Sequence, residues 1–122
     1  MLQGNFFTIT SIETDTSAAK AVIRINPEHE IFVGHFPGTP VVPGVCMMQI
    51  VKEILEDVLA INIKLIKADH IKFLTVINPL QTSTVQLDLK YTITESGDVI
   101  TVASLLDDKA VYFKFKGLFR PA

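Results

Sequence analysis

Cysteine occurs once in this sequence, at Cys46, so no disulfide can close within the chain and a disulfide-stapled secreted scaffold is excluded. The opening residues Met1-Leu2-Gln3-Gly4-Asn5 carry neither the positive start nor the apolar stretch of a secretory signal. Both features point to the cytoplasm. Clustered positive charge is missing as well: the formal net charge is −2 and no Lys/Arg block appears, so neither nucleic acid nor an anionic membrane is an expected partner. No apolar run is long enough to span a bilayer, because Gln49, Lys52, Glu53, Glu56 and Asp57 interrupt the longest one. The histidines lack His-x-x-x-His spacing, no Cys-x-x-Cys is present, and Gly34, Gly38 and Gly44 do not follow a nucleotide-binding pattern. No metal or cofactor is expected.

What is present is enough for one core. The chain has 122 residues, 48% hydrophobic and 20% charged, which predicts a single folded domain over 1–122. Residues 6–12 and 18–25 read as a hairpin around a polar turn, and a helical turn is expected near Pro27–Glu30 with Asn26 as its cap. Residues 45–59 form one long helix, and 64–73 a strand. Residues 84–94 alternate, with Val85, Leu87, Leu89, Tyr91 and Ile93 on one face. Residues 99–106 and 110–119 complete a meander, the last strand placing Val111, Phe113 and Phe115 on one side. Five or six antiparallel strands with one long helix predict an α+β domain in which the sheet wraps the helix.

Between hairpin and helix lies Gly34-His35-Phe36-Pro37-Gly38-Thr39-Pro40-Val41-Val42-Pro43-Gly44, a histidine in a loop stiffened by three prolines and three glycines. Imidazole titrates near neutrality, so His35 is a candidate base. The loop delivers the chain into the start of a helix, whose free N–H groups can hold developing negative charge. His29 and His70 have no comparable setting and read as surface or strand-edge residues. Cys46 reads as a small core residue, with no base beside it.

The run from His29 to Lys52, and above all Gly-His-Phe-Pro-Gly followed by Pro-Gly-Val, resembles the hot-dog-fold 3-hydroxyacyl-[acyl-carrier-protein] dehydratases of fatty acid synthesis. The resemblance implies a hot-dog fold, His35 as the base that takes a proton beside the thioester carbonyl, and the Gly44 amide as an oxyanion donor. By position, Phe36, Gly44, Val45 and Met48 are implied to bind substrate. It also implies a homodimer, open to higher assembly, whose site joins the histidine of one chain to a helix acid of the other.

Counting from Pro43-Gly44-Val45, the position of that acid is occupied by Gln49. An amide can hold a hydroxyl or a water but cannot release a proton. Glu53, about 40° around the helix and about 6 Å along its axis, is the candidate substitute; Lys52 and Glu56 read as the helix's solvated side. Three functional readings follow. The first is a dehydratase-like hydro-lyase acting on thioesters of acyl carrier protein or coenzyme A, with His35, Gln49 and Glu53 as catalytic residues. The second is a non-catalytic acyl-thioester-binding protein or the inactive subunit of a hetero-oligomeric dehydratase. The third is a thioesterase, since the same fold hosts hydrolysis. Lys64, Lys67, Lys72, Lys114, Lys116 and Arg120 are candidates to meet an acidic carrier protein, against the plainer reading of solvated strand faces.

Overall fold

Alternation of apolar and polar residues, turn chemistry and one amphipathic run account for nearly every element. The computed structural model describes residues 1–33 and 39–122. In chain order these give β1 (Phe7–Asp15), β2 (Ala18–Ile25), a short 3-10 helix (Glu30–Phe32), α1 (Gly44–Leu59), β3 (Ile63–Phe73), β4 (Thr84–Ile93), β5 (Val99–Leu106) and β6 (Val111–Pro121). The strands form one six-stranded sheet in the order β1-β2-β4-β5-β6-β3, with every neighbouring pair antiparallel.

The buried side of α1, Cys46, Met47, Ile50, Val51, Ile54 and Leu55, packs with the inward residues of the sheet, among them Ile23, Val85, Leu87, Leu89, Phe113 and Phe119. Burying aliphatic side chains of this size contributes about 1.5–3 kcal/mol each, so the helix cannot leave the sheet without losing the core. The helix is the centre of the domain. Between β4 and β5 the chain turns at Gly97, whose φ of 88° suits a residue without a Cβ. Between β5 and β6 the Asp107 carboxylate accepts from the N–H groups of Lys109 and Ala110 at 2.8 and 3.0 Å and closes the turn. Tyr112 donates its hydroxyl to the same carboxylate at 2.5 Å, which holds Asp107 below the usual carboxylate range.

Three local expectations are corrected. The Asn26 side chain accepts from the Glu28 N–H at 3.0 Å in a turn of its own, so the helical turn forms later, over Glu30–Phe32. His29 caps that turn, its Nδ1 accepting from the Ile31 N–H at 3.1 Å while the ring meets Phe6 edge-on. In β6 it is Tyr112, not Val111, that is buried beside Phe113, because the pairing with β5 shifts register between Leu105 and Leu106. On β4 the inward alternation ends before Ile93, which is 55% exposed.

β3 has a different character. It pairs with β6 on one side and with nothing on the other among the described residues, and every residue from Lys64 to Phe73 is exposed. Leu65, Ile66, Ile71, Phe73, Leu74 and Val76 thus leave an apolar, unpaired sheet edge open.

Candidate active site at the start of the central helix

The segment entering α1 is held before it turns. Pro40 and Val42 are buried, and the Val42 N–H donates to the Ile77 carbonyl at 2.9 Å, tying the end of the loop to the irregular stretch after β3. Pro43 is the N-cap, in extended backbone and without a side chain that can cap. Its carbonyl accepts from the N–H groups of Cys46 and Met47 at 3.0 and 3.3 Å. The Gly44 and Val45 N–H groups have no partner among the described residues.

Glycine at the first helical position leaves room for an aromatic ring. A Cβ on Gly44 would sit 2.7 Å from Cζ of Phe73, whose ring lies over the helix start and stacks on Phe113 with centroids 5.2 Å apart. Beside this ring a cleft of about 330 Å³ opens, lined by Val42, Gly44, Met47, Phe73, Leu74, Thr75 and Val76. It is apolar, and it meets the helix where the partial positive charge of the macrodipole gathers. An oxyanion with an aliphatic tail suits such a place.

Further along α1, Gln49 is half-buried and Glu53 is 2% exposed. The two touch: Nε2 of Gln49 donates to Oε2 of Glu53 at 2.9 Å. The rest of the Glu53 carboxylate is taken up by the beginning of the chain, with the Leu2 N–H at 3.0 and 2.8 Å from its two oxygens and the Gln3 N–H at 2.8 Å from Oε1. Glu53 therefore lies inside the domain with both oxygens engaged, whereas Lys52 is half-buried. Glu56 is more than solvated surface: it is half-buried and accepts from the Ile63 N–H at 3.0 Å where β3 begins.

The other candidates separate cleanly. His35 and Phe36 lie outside the described residues. Val45 is 76% exposed and Met48 half-buried, while Met47 is buried against the cleft. Burial pushes the Cys46 thiol above its ordinary value, as suits a small core residue. The basic residues of β3 and β6 are gathered by the register: His70 pairs with Lys116 and Lys72 with Lys114, around a surface groove of about 320 Å³ that also includes Ser104. Lys67 pairs with Asp69 and Arg120 with Asp98, but Lys72, Lys114 and Lys116 form no ion pair among the described residues. Sequence reasoning missed Phe73 and the backbone of Leu2 and Gln3. The first is the end of an ordinary strand in sequence, and nothing in Met-Leu-Gln-Gly signals a clasp.

One long buried helix crossing a six-stranded antiparallel sheet, opening at its start on an apolar cleft, defines a hot-dog-fold protein. The model of the ApeI-like family, described as ApeI dehydratase, matches residues 11–104. The chain belongs to this dehydratase family. Its structure is similar to the dehydratase heterocomplex ApeI:P from Xenorhabdus doucetiae, with a TM-score of 0.72, 21% identity, and coverage of 92% of this chain and 96% of that one. It is also similar to an uncharacterised protein from Erwinia carotovora subsp. atroseptica, with a TM-score of 0.62, 22% identity, and coverage of 92% and 90%. At these identities the likeness carries the fold. Among curated proteins none matches the chain. No helix among the described residues is long and apolar enough to cross a membrane.

Proposed function

We propose that the chain is a hydro-lyase that removes water from a 3-hydroxyacyl thioester, carried on acyl carrier protein or coenzyme A, in fatty acid or related lipid or polyene synthesis. The observation that supports it best is the start of α1, where Gly44 lines the apolar cleft, the N–H groups of Gly44 and Val45 have no partner among the described residues, and Gln49 follows on the same helix. In this reading the thioester oxygen accepts from those two amides and the acyl chain lies along the cleft, with Phe36, Val45 and Met48 flanking it. His35 takes a proton from C2. The substrate's 3-hydroxyl donates its hydrogen to the Gln49 carbonyl oxygen and leaves its lone pairs facing the imidazolium. The proton that His35 took passes to the hydroxyl, the C3–O bond breaks, water departs and the C2–C3 double bond forms. No second acid is needed. The loss is the ~10²–10⁴ in rate that a positioned proton donor typically supplies.

Two further parts of the proposal rest on surfaces. The open apolar edge of β3 supports pairing with a second copy, which would set the His35 of one chain opposite the Gln49 of the other. The unpaired Lys72, Lys114 and Lys116 support docking of an acidic carrier protein, since like charges directly opposite across strands repel until an anionic partner arrives. The single buried thiol suits the cytoplasm as its place of work.

The test is an assay of the purified protein with 3-hydroxyacyl thioesters, following the conjugated enoyl product. Product is expected, and His35→Ala should lower its rate by ~10²–10⁴. The same assay follows free thiol, whose release without enoyl product would support a thioesterase. Two observations favour a second reading: the amide at position 49 is bound to Glu53, and the similar Xenorhabdus dehydratase is a heterocomplex. The chain would then be the thioester-binding, inactive subunit of a mixed assembly. Thioester binding without turnover, with activity only when a relative is added, would establish that instead.

A further inference from the structure

We infer that Glu53 is a positioning residue: its buried carboxylate, clasped by the N-terminal backbone, fixes the Gln49 amide so that its carbonyl oxygen is the end offered to a substrate hydroxyl. The inference rests on the dehydratase reading for the identity of that hydroxyl, but its geometry stands apart from it.

A carboxylate that is 2% exposed must be satisfied by hydrogen bonds or by a counter-charge. Glu53 makes no ion pair among the described residues, so hydrogen bonds do the work. Leu2 and Gln3 give it three backbone contacts between 2.8 and 3.0 Å. Gln49 gives the fourth through Nε2 at 2.9 Å. An ionised carboxylate only accepts, so the amide can face it in one sense alone: NH₂ inward, oxygen away. A neutral residue at 53 would leave that choice open. The Gln49 oxygen takes no hydrogen bond among the described residues, and no side-chain polar atom there is both sealed from solvent and unpaired. The oxygen is thus an accessible acceptor on a half-buried residue, held from behind. The N-terminal segment becomes a support of the site, reaching it through one carboxylate over a sequence distance of about fifty residues.

This has a consequence for restoring an acid. Gln49→Glu alone puts a second carboxylate against the first, and the two like charges repel in a largely buried place. The swap Q49E/E53Q keeps the contact with its polarity reversed: the oxygen of residue 53 accepts from Leu2 and Gln3, and its NH₂ donates to residue 49.

The experiment compares wild type, E53Q, Q49E and Q49E/E53Q in the enoyl assay across pH, alongside the Gln49 side-chain NH₂ resonances of wild type and E53Q. The isosteric E53Q retains an acceptor for Leu2 and Gln3, and its backbone spectrum reports that it is folded. Expected are a shifted, faster-exchanging Gln49 NH₂ pair in E53Q, a kcat lowered about tenfold with KM little changed, and a swap variant about tenfold or more faster than Q49E at neutral pH. Unmoved Gln49 resonances in E53Q, or a swap variant no faster than Q49E, would overturn the inference. If no variant forms enoyl product while the Gln49 resonances move as expected, the positioning stands and the dehydratase reading fails.

Discussion

The two ends of the central helix are built to opposite rules. The C-terminal end is tied into the fold by hydrogen bonds. The Ala60 N–H returns to the Glu56 carbonyl at 2.8 Å, and the Glu56 side chain accepts from the Ile63 N–H at 3.0 Å where the next strand begins. At the N-terminal end a proline caps without a side-chain acceptor, and two N–H groups find no partner among the described residues. Leaving donors unmade at a helix end costs stability, typically about 1 kcal/mol when a capping side chain is missing. One end of the helix is tied to the next strand, and the other, beside an apolar cleft, is where the proposed function places the substrate.

The sharpest way to break this comparison is to fill the open end. In Gly44→Ala the added methyl would meet the rim of the Phe73 ring at 2.7 and 2.9 Å. That ring is 54% exposed and can swing outward, and alanine is the better helix former, so the two effects on stability offset to within about 1 kcal/mol. Activity should not survive as well. A methyl beside the proposed oxyanion donors and a displaced cleft wall should shift the substrate by about 1 Å, a change worth ~10² in rate. Near-wild-type melting with a collapsed kcat/KM is the expected result. Unchanged turnover would show that the open end is not where the thioester binds.

Much of this comparison could be read before any coordinates, and the reason is physical. The alternation from Val85 to Leu89 has a period of two wherever one face is buried, and the helix from Gly44 carries its apolar residues at helical spacing. Both signals are local. The polar pair Gln49 and Glu53 was also legible as neighbours four residues apart on one stripe. What those neighbours do was not, because the partners of Glu53 come from Leu2 and Gln3, whose backbone N–H groups carry no sequence signal. Phe73 over Gly44 is hidden in the same way: the contact joins the end of β3 to the start of α1, and only the fold brings them together. The gathering of Lys72, Lys114, Lys116 and His70 depends on the β3–β6 register, with its shifts near Leu65 and Ala68, which no strand sequence shows by itself.

The closed end can be opened in turn. Glu56→Ala removes the acceptor from the N–H of Ile63, a residue only 1% exposed, and water can replace it poorly there. A loss of about 1 kcal/mol in unfolding free energy is expected, read from denaturant midpoints, with turnover unaffected because the change lies at the far end of the helix from the cleft. A fall in kcat/KM beyond what stability explains would mean that the two ends communicate, and the division of labour argued above would fail.

The smallest effect should improve the closed end. Ala60 sits at φ 58° and ψ 33°, in the left-handed region where its Cβ crowds the carbonyl, and it is the one non-glycine residue with positive φ among the described residues. That conformation costs an L-residue about 1–2 kcal/mol, and glycine adopts it without the penalty. Glycine also gives the unfolded chain more freedom, which returns about 0.4–1 kcal/mol of the gain. The net for Ala60→Gly is a stabilisation between a few tenths and about 1 kcal/mol, with turnover again unchanged. Destabilisation would mean that the Ala60 methyl has packing to lose, which its exposed position argues against. A gain here beside a loss of activity at Gly44 would put the same small change, one methyl removed or added, to opposite use at the two ends of one helix.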